Sequence, residues 1–230
     1  MKIIPIKTSR VERDIKTPII DWIVESLRAN NVHLQESDII VISSKLVSYF
    51  EGRIIPAEEV NISDEADEVV ADTPFVSLTR KNGIYCANAG VDTSNVEEGY
   101  AVLWPKEPFD SAERIQQALK NQFDLQKIAV IISDSICIPG RKGTVSVAIG
   151  YSGMQGVQNL VGEKDAFGNE LKYSSLNMID SLATSANLVM GEGSELTPMA
   201  LICNYQWAET SDTKKDEMVI SPFDDMFPIG

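Results

Sequence analysis

The sequence predicts an α+β fold, with mixed and antiparallel sheets packed against helices, on three observations. Three stretches carry apolar residues at helical spacing. Eight short runs are rich in β-branched and aromatic residues. The order of the two kinds is irregular, with neighbouring strands joined by short loops as well as by helices, whereas strict alternation would point to a doubly wound sheet.

Taken in order, "KIIPI" opens as a strand. "TPIIDWIVESLRAN" then offers Thr17 as N-cap, Pro18 at the first helical position, and Ile19, Ile20, Ile23, Val24 and Leu27 on one face. "DIIVIS" is a strand, and the acidic "EEVNISDEADEVVADT" reads as a solvated helix or loop. "FVSLT", "GIYCA" and "YAVLW" are strands. "SAERIQQALKNQF" is a helix with Ile115, Leu119 and Phe123 inward. "AVIIS" and "VSVAIG" follow as strands. "SSLNMIDSLATSANLVM" reads as a helix, with Leu176, Ile179, Leu182, Ala183, Ala186 and Met190 on its buried face, before the strand "MALIC". The tail from residue 206 to 230 has no period and reads as a segment wrapping the surface. With no internal repeat and no linker, residues 1–230 read as a single unit.

Composition narrows the function classes. The chain is 43% hydrophobic and 23% charged, ordinary for a globular protein. Twenty Lys and Arg against 34 Asp and Glu give −14, which disfavours nucleic acid and membrane surfaces as partners. A local cluster of donors can still bind an anionic small molecule against that field. Cys86, Cys137 and Cys203 form no disulfide framework and no metal spacing. The start "MKIIPIKTSR" lacks the pattern of a signal peptide, and no apolar run reaches membrane length, so a reduced, cytoplasmic protein is expected.

Three polar segments follow apolar runs: "NAGVDTSNVEEG", "AVIISDSICIPGRKG" and "LVMGEGSELTP". The first is over-equipped for a turn, which needs only one or two special residues. Asp92 and Asp134 each leave an apolar run, and a carboxylate at a strand end suits Mg²⁺, which takes one or two carboxylates and keeps phosphate or water oxygens. Two such carboxylates brought together without a cation repel. Arg141 and Lys142 between glycines offer donors to phosphate or carboxylate. The plainer readings stand beside these: each Asp as a turn former, "GRKG" as a solvated hairpin tip, "MGEG" as a helix C-cap. Cys137 has no histidine near it in sequence and reads as a structural thiol. His33, the one histidine, reads as a loop residue, so chemistry built on a histidine dyad is disfavoured. Neither G-x-x-x-x-G-K-[ST] nor G-x-G-x-x-G is present. The residues by themselves reach a metal- and anion-binding α+β protein, with an enzyme favoured over a binding protein.

"NAGVDTSNVEEG" closely resembles the signature of the CofE-like family, the coenzyme F420-0:L-glutamate ligases and their relatives. "VISSKLVSYFEGR", "VIISDS", "VAIGYSG", "VGEKDAFGNELK" and "ANLVMGEG" follow in the family's order, over residues 1 to about 205. The resemblance implies a CofE-like fold of two intertwined subdomains and a homodimer. It also implies a ligase, dependent on GTP or ATP, that adds L-glutamate to a terminal carboxylate, usually through γ-glutamyl links. Carried over by position, Asp92, Asp134 and Ser135 correspond to ligands of a divalent pair, Mg²⁺ or Mn²⁺. Arg10, Val11, Ser44, Lys45 and Asn95 correspond to nucleotide contacts. Arg141 and Lys142 are assigned to charge stabilisation as catalytic residues.

The sequence also departs from the family pattern. Tyr49 stands where a Lys is expected, Ser135 where the family has Thr, and Cys137 and Ile138 where a Gly-Arg is expected. The segment near residues 56–82 is trimmed. "IPIKTSRV" and "VSYFEGR" look more like a shorter bacterial branch linked to folate metabolism. That places a folate or folylpolyglutamate acceptor slightly ahead of F420-0. The alternative of another class is a non-catalytic protein that binds nucleotide or a pterin-like ligand, which the change at Tyr49 keeps open.

Overall fold

A computed structural model describes residues 1–210, 213, 217–221 and 225. In chain order the elements are β1 (Lys2–Ile6), α1 (Ile19–Ala29), β2 (Ile39–Ser43), α2 (Ser44–Phe50), β3 (Ile54–Pro56), α3 (Ile62–Glu65), β4 (Glu68–Asp72), β5 (Ser77–Lys81) and β6 (Ile84–Ala87). There follow β7 (Tyr100–Val102), α4 (Pro108–Phe123), β8 (Ala129–Cys137), β9 (Thr144–Ser152), β10 (Val157–Asn159), β11 (Ser175–Asn177), α5 (Met178–Met190) and β12 (Met199–Cys203). The class is α+β, as the irregular order of elements predicts.

A five-stranded mixed sheet, ordered β1-β12-β2-β8-β9, forms the centre. Only β2 and β8 run parallel; the other neighbours are antiparallel. Its strands are apolar on both faces because both faces are covered. Ile40, Ile42, Val130, Ile132, Met199 and Leu201 face one core with Trp22, Ile23 and Leu27 of α1 and Ile115 and Leu119 of α4. Ile39, Val41, Ala129, Ile131, Ala200 and Ile202 face the other, against Ile179, Leu182, Ala183 and Ala186 of α5. Each large aliphatic side chain fully buried this way contributes about 1.5–3 kcal/mol. The strand ends that carry the site are therefore rigidly placed.

Around this sheet sit three smaller ones: β3-β7, β4-β5-β6 and β10-β11. Several local expectations shift here. The acidic segment is not all helix or loop: Ile62–Glu65 is one helical turn, and Glu68–Asp72 pairs antiparallel with β5. Phe75 and Val76 precede β5 rather than belonging to it, and Phe75 is exposed. Leu176 is an exposed residue of β11, not of a helix face, because Asn177 caps α5 by accepting from the Asp180 amide. Helix α1 begins at Ile19 after Pro18 without a side-chain cap, so Thr17 does not serve as one. Cys86 is buried, Cys203 half-buried and Cys137 exposed, and His33 is an exposed loop residue. No helix among the described residues is long and apolar enough to cross a membrane. Part of the tail from residue 206 lies outside the described residues.

Candidate active site

The site follows from strand direction. Because β2 and β8 are parallel and in register, with Ser43 opposite Ser133, β2 and its pairing with β8 end together at one edge of the sheet. Ser44 and Lys45 begin α2 there, and Asp134 and Ser135 continue β8 past its bulge. Crevices outside the carboxyl ends of parallel strands are where open sheets bind ligands. Strand β1 ends at this edge too, so Thr8–Val11 form one wall, fastened by the Thr8 amide donating to the Leu196 carbonyl at 2.8 Å. The loop after α5 supplies Glu192, Glu195 and Thr197. The resulting cleft holds about 220 Å³. Ordinary ligand pockets run to about 300–1,000 Å³, so a ligand of ordinary size would extend beyond it.

The stretch from Asn88 to Gly99 divides its polar residues between folding and the cleft. Asn88, Ala89 and Asn95 adopt positive φ, as do Gly90 and Gly99. Asn88 accepts from the Ser77 amide and fastens the turn to β5. The Asp92 amide donates to the Val102 carbonyl at 3.0 Å, and the Val102 amide returns the bond at 2.8 Å. With its backbone locked, Asp92 turns its carboxylate into the cleft, where Lys45 Nζ lies 2.6 Å from Oδ2. Ser94 closes the set: its amide donates to Asp92 Oδ1 at 2.7 Å, and Lys45 Nζ donates to Ser94 Oγ at 3.0 Å.

Asp134 is held differently. Its Oδ1 accepts from Ser44 Oγ at 2.5 Å and its Oδ2 from the Trp104 indole N–H at 2.8 Å. Burial pushes this carboxyl above its ordinary range; the two hydrogen bonds and Lys45 oppose that, and the charge of Asp92 adds to it. For Asp92, burial also acts upward, but Lys45 and Ser94 outweigh it and hold the group below the usual value. Ser135 Oγ donates to Glu192 Oε1 at 2.6 Å, and Asn187 Nδ2 donates to the same oxygen at 2.7 Å.

The structure thus brings Arg10, Val11, Lys45, Asp92, Asn95, Asp134 and Ser135 to one cleft, with Ser44 just behind Asp134. It does not bring Arg141 and Lys142 there. Strand β8 continues beyond Ser135 and carries both residues to the exposed tip of its hairpin with β9, outside the lining. Tyr49, at the position of the expected Lys, lines the cleft. Burial, with the charge of Glu97, pushes its phenol upward. Glu192 and Trp104 were not singled out by the sequence. Glu192 lay in a glycine-flanked turn that reads equally as a cap, and the Trp104 N–H was hidden in an apolar run.

The cleft lining carries four carboxylates, Asp92, Asp134, Glu192 and Glu195, against two cationic side chains, Arg10 and Lys45. No three His, Cys, Asp or Glu side chains among the described residues converge into a ready-made metal cage. The donor set still fits a hard divalent cation, which needs one or two carboxylates and takes its remaining oxygens from phosphate or water. An anionic ligand entering so acidic a cleft needs added positive charge.

The family model described as F420-0:Gamma-glutamyl ligase matches residues 6–75 and 61–204. The chain belongs to this family. It is accordingly an amide-forming ligase, which removes the reading as a non-catalytic binding protein. It is similar to the coenzyme F420:L-glutamate ligase of Methanocaldococcus jannaschii, with 40% identity over 191 residues, 74% of this chain and 76% of the relative. The enzyme of the same name from Methanothermobacter thermautotrophicus is 35% identical over 207 residues, 80% and 82% of the two chains. That of Archaeoglobus fulgidus is 34% identical over 197 residues, 76% and 79%.

Proposed function

We propose that the chain is a coenzyme F420-0:L-glutamate ligase, one ligase unit that works as a homodimer with GTP or ATP and a pair of Mg²⁺ or Mn²⁺ ions. The observation that carries this is the convergence of Asp92 and Asp134 on one cleft with Lys45 beside them. The acceptor differs from the folate tail that the sequence placed slightly ahead, because the relatives above are named for F420.

The reaction needs alignment and charge neutralisation more than a covalent nucleophile. The acceptor carboxylate attacks the γ-phosphorus, forming an acyl phosphate and releasing nucleoside diphosphate. The glutamate amine then attacks the acyl carbon, loses a proton and displaces phosphate, leaving an amide. Arg10, Val11, Ser44, Lys45 and Asn95 are assigned to holding the nucleotide, and Asp92, Asp134, Ser135 and Glu192 to holding the metal. When bound, the cations neutralise charge that builds on the phosphoryl oxygens. Lys45, released from Asp92 as that carboxylate takes a new partner, is free to reach the phosphates. Arg141 and Lys142 act only if the hairpin tip meets ligand outside the cleft.

The test is mass-spectrometric. The purified protein receives L-glutamate, Mg²⁺ or Mn²⁺, and GTP or ATP, with F420-0 and reduced folate as parallel acceptors. The expected product is F420-0 heavier by one or more glutamyl units. A glutamylated folate alone would return the acceptor to the earlier reading, and no product on either would overturn the proposal.

A further inference from the structure

We infer that Trp104 is a positioning residue for Asp134, held in place by a partly buried ion cluster and by Gly90; the inference rests on the metal-holding role proposed above for Asp134. Trp104 is 1% exposed and lies just past β7. Its N–H meets Asp134 Oδ2 at 2.8 Å.

Trp104 is restrained at its backbone carbonyl, near its ring face and at its polar edge. Behind its backbone, Arg53 Nε donates to the Trp104 carbonyl at 3.0 Å, while Arg53 Nη2 lies 2.7 Å from Glu65 Oε2. The same Glu65 oxygen takes Lys81 Nζ at 2.9 Å, and that ammonium sits 5.6 Å from the centre of the indole ring. At the polar edge is Gly90, at φ +73°: a Cβ there would come within 2.1 Å of Nε1. Glycine at this point therefore serves both the positive φ and the close approach of the indole nitrogen. It also ties the stretch that presents Asp92 to the side chain that aims Asp134.

The type of donor matters. Ser44, which bonds the other oxygen of Asp134, can rotate its hydroxyl and accept as well as donate. An indole N–H only donates. Anchored as it is, Trp104 favours the ionised carboxylate and fixes its plane, so the free lone pairs of Asp134 keep one direction. A cation holding that carboxylate would meet it already oriented. Outer partners of this kind are worth roughly 10–100-fold in metal affinity or activity.

The test replaces Trp104 in the full chain by Phe and, separately, by 3-benzothienylalanine, which keeps the bicyclic shape with sulfur in place of the N–H. Mn²⁺ affinity is measured by calorimetric titration, with and without nucleotide, and kcat and KM for L-glutamate by nucleoside diphosphate release. The expected result in both variants is Mn²⁺ binding weaker by about 10–100-fold and kcat lower in similar proportion, with KM for L-glutamate within about twofold. If Trp104→Phe fails to fold, the sulfur isostere decides. A parent that binds Mn²⁺ and an isostere equal to it in affinity and kcat would overturn the role of Trp104 and leave the ligase reading standing. A parent that neither binds Mn²⁺ nor ligates would overturn the reading, and this inference with it.

Discussion

The two walls of the cleft present the same residue type in opposite ways. Asp92 sits on a loop, half-exposed, and is balanced by a full charge from Lys45 at 2.6 Å. Asp134 sits on a strand of the central sheet, and its direct hydrogen-bond partners are the neutral donors Ser44 and Trp104, with Lys45 acting on it only through space. One carboxyl is consequently held below its ordinary range and the other pushed above it. A half-exposed ion pair can be exchanged for another partner, whereas a buried carboxylate bonded directly only to neutral donors keeps an unmet demand for positive charge. The pair can therefore release Lys45 on one side while offering a strong anchor on the other.

The sharpest way to break this comparison is to neutralise each carboxylate alone. Asp134→Asn is expected to lower kcat on the order of 10²–10³-fold. It should leave Tm unchanged or raised, since it removes a buried charge, and an amide can still accept from Trp104 and donate to Ser44. Asp92→Asn is expected to cost roughly 10–100-fold in activity. Its stability loss should stay below about 1 kcal/mol, the range of exposed pairs. Steady-state kinetics and thermal melts of the two variants check both halves. If Asp92→Asn proved the more damaging to kcat, or Asp134→Asn unfolded the protein, the contrast between the walls would be wrong.

The pH dependence of stability sharpens it further, because the two shifts have opposite signs. Asp92 has a depressed pKa, so it contributes stability above the unfolded value near 3.8, and that contribution is lost as pH falls through the folded pKa. Asp134 has a raised pKa, so the folded state binds its proton more tightly, and its cost fades as pH falls from above the folded pKa toward 3.8. The Tm advantage of Asp134→Asn over the parent should therefore be largest near neutrality and shrink in that upper window. The deficit of Asp92→Asn should shrink only below pH 3.8. Melts across this range in metal-free buffer are the measurement.

Much of this was legible in the sequence, for reasons that differ by element. The central strands announced themselves because burial on both faces leaves unbroken apolar runs such as Ile39–Ile42. The edge strand Glu68–Asp72 did not, because it is mostly exposed and only pairing with β5 makes it a strand. Leu176 was misplaced because the helical period continues through a residue that Asn177 caps off; that Asn three residues ahead of Asp180 was the signal available. Asp92, Asp134 and Lys45 were recognisable from their motifs, yet Lys45 and Asp134 are brought together by the parallel register of β2 and β8, and Asp92 is set by its paired backbone bonds to Val102, neither of which a local pattern encodes. Trp104 was missed for the same reason: its partner lies 30 residues away.

The smallest effect is expected far from either wall. Arg141 and Lys142 stand where charge neutralisation was anticipated in sequence, two positions between Gly140 and Gly143 just past the end of the strand that carries Asp134. In the fold that proximity along the chain is lost, because each further residue of β8 carries the backbone about 3.3 Å away from the cleft edge. Both side chains end at an exposed hairpin tip, where charges act through solvent and are screened within about 10 Å at ordinary salt. Replacing both by alanine should change kcat by less than about threefold, in contrast to the carboxylate variants. Steady-state kinetics at low and moderate salt provide the check. A loss approaching that of Asp134→Asn would mean that the tip reaches the reacting groups in the working assembly, and the chemistry would then belong to two distant parts of the hairpin rather than to one end of the sheet.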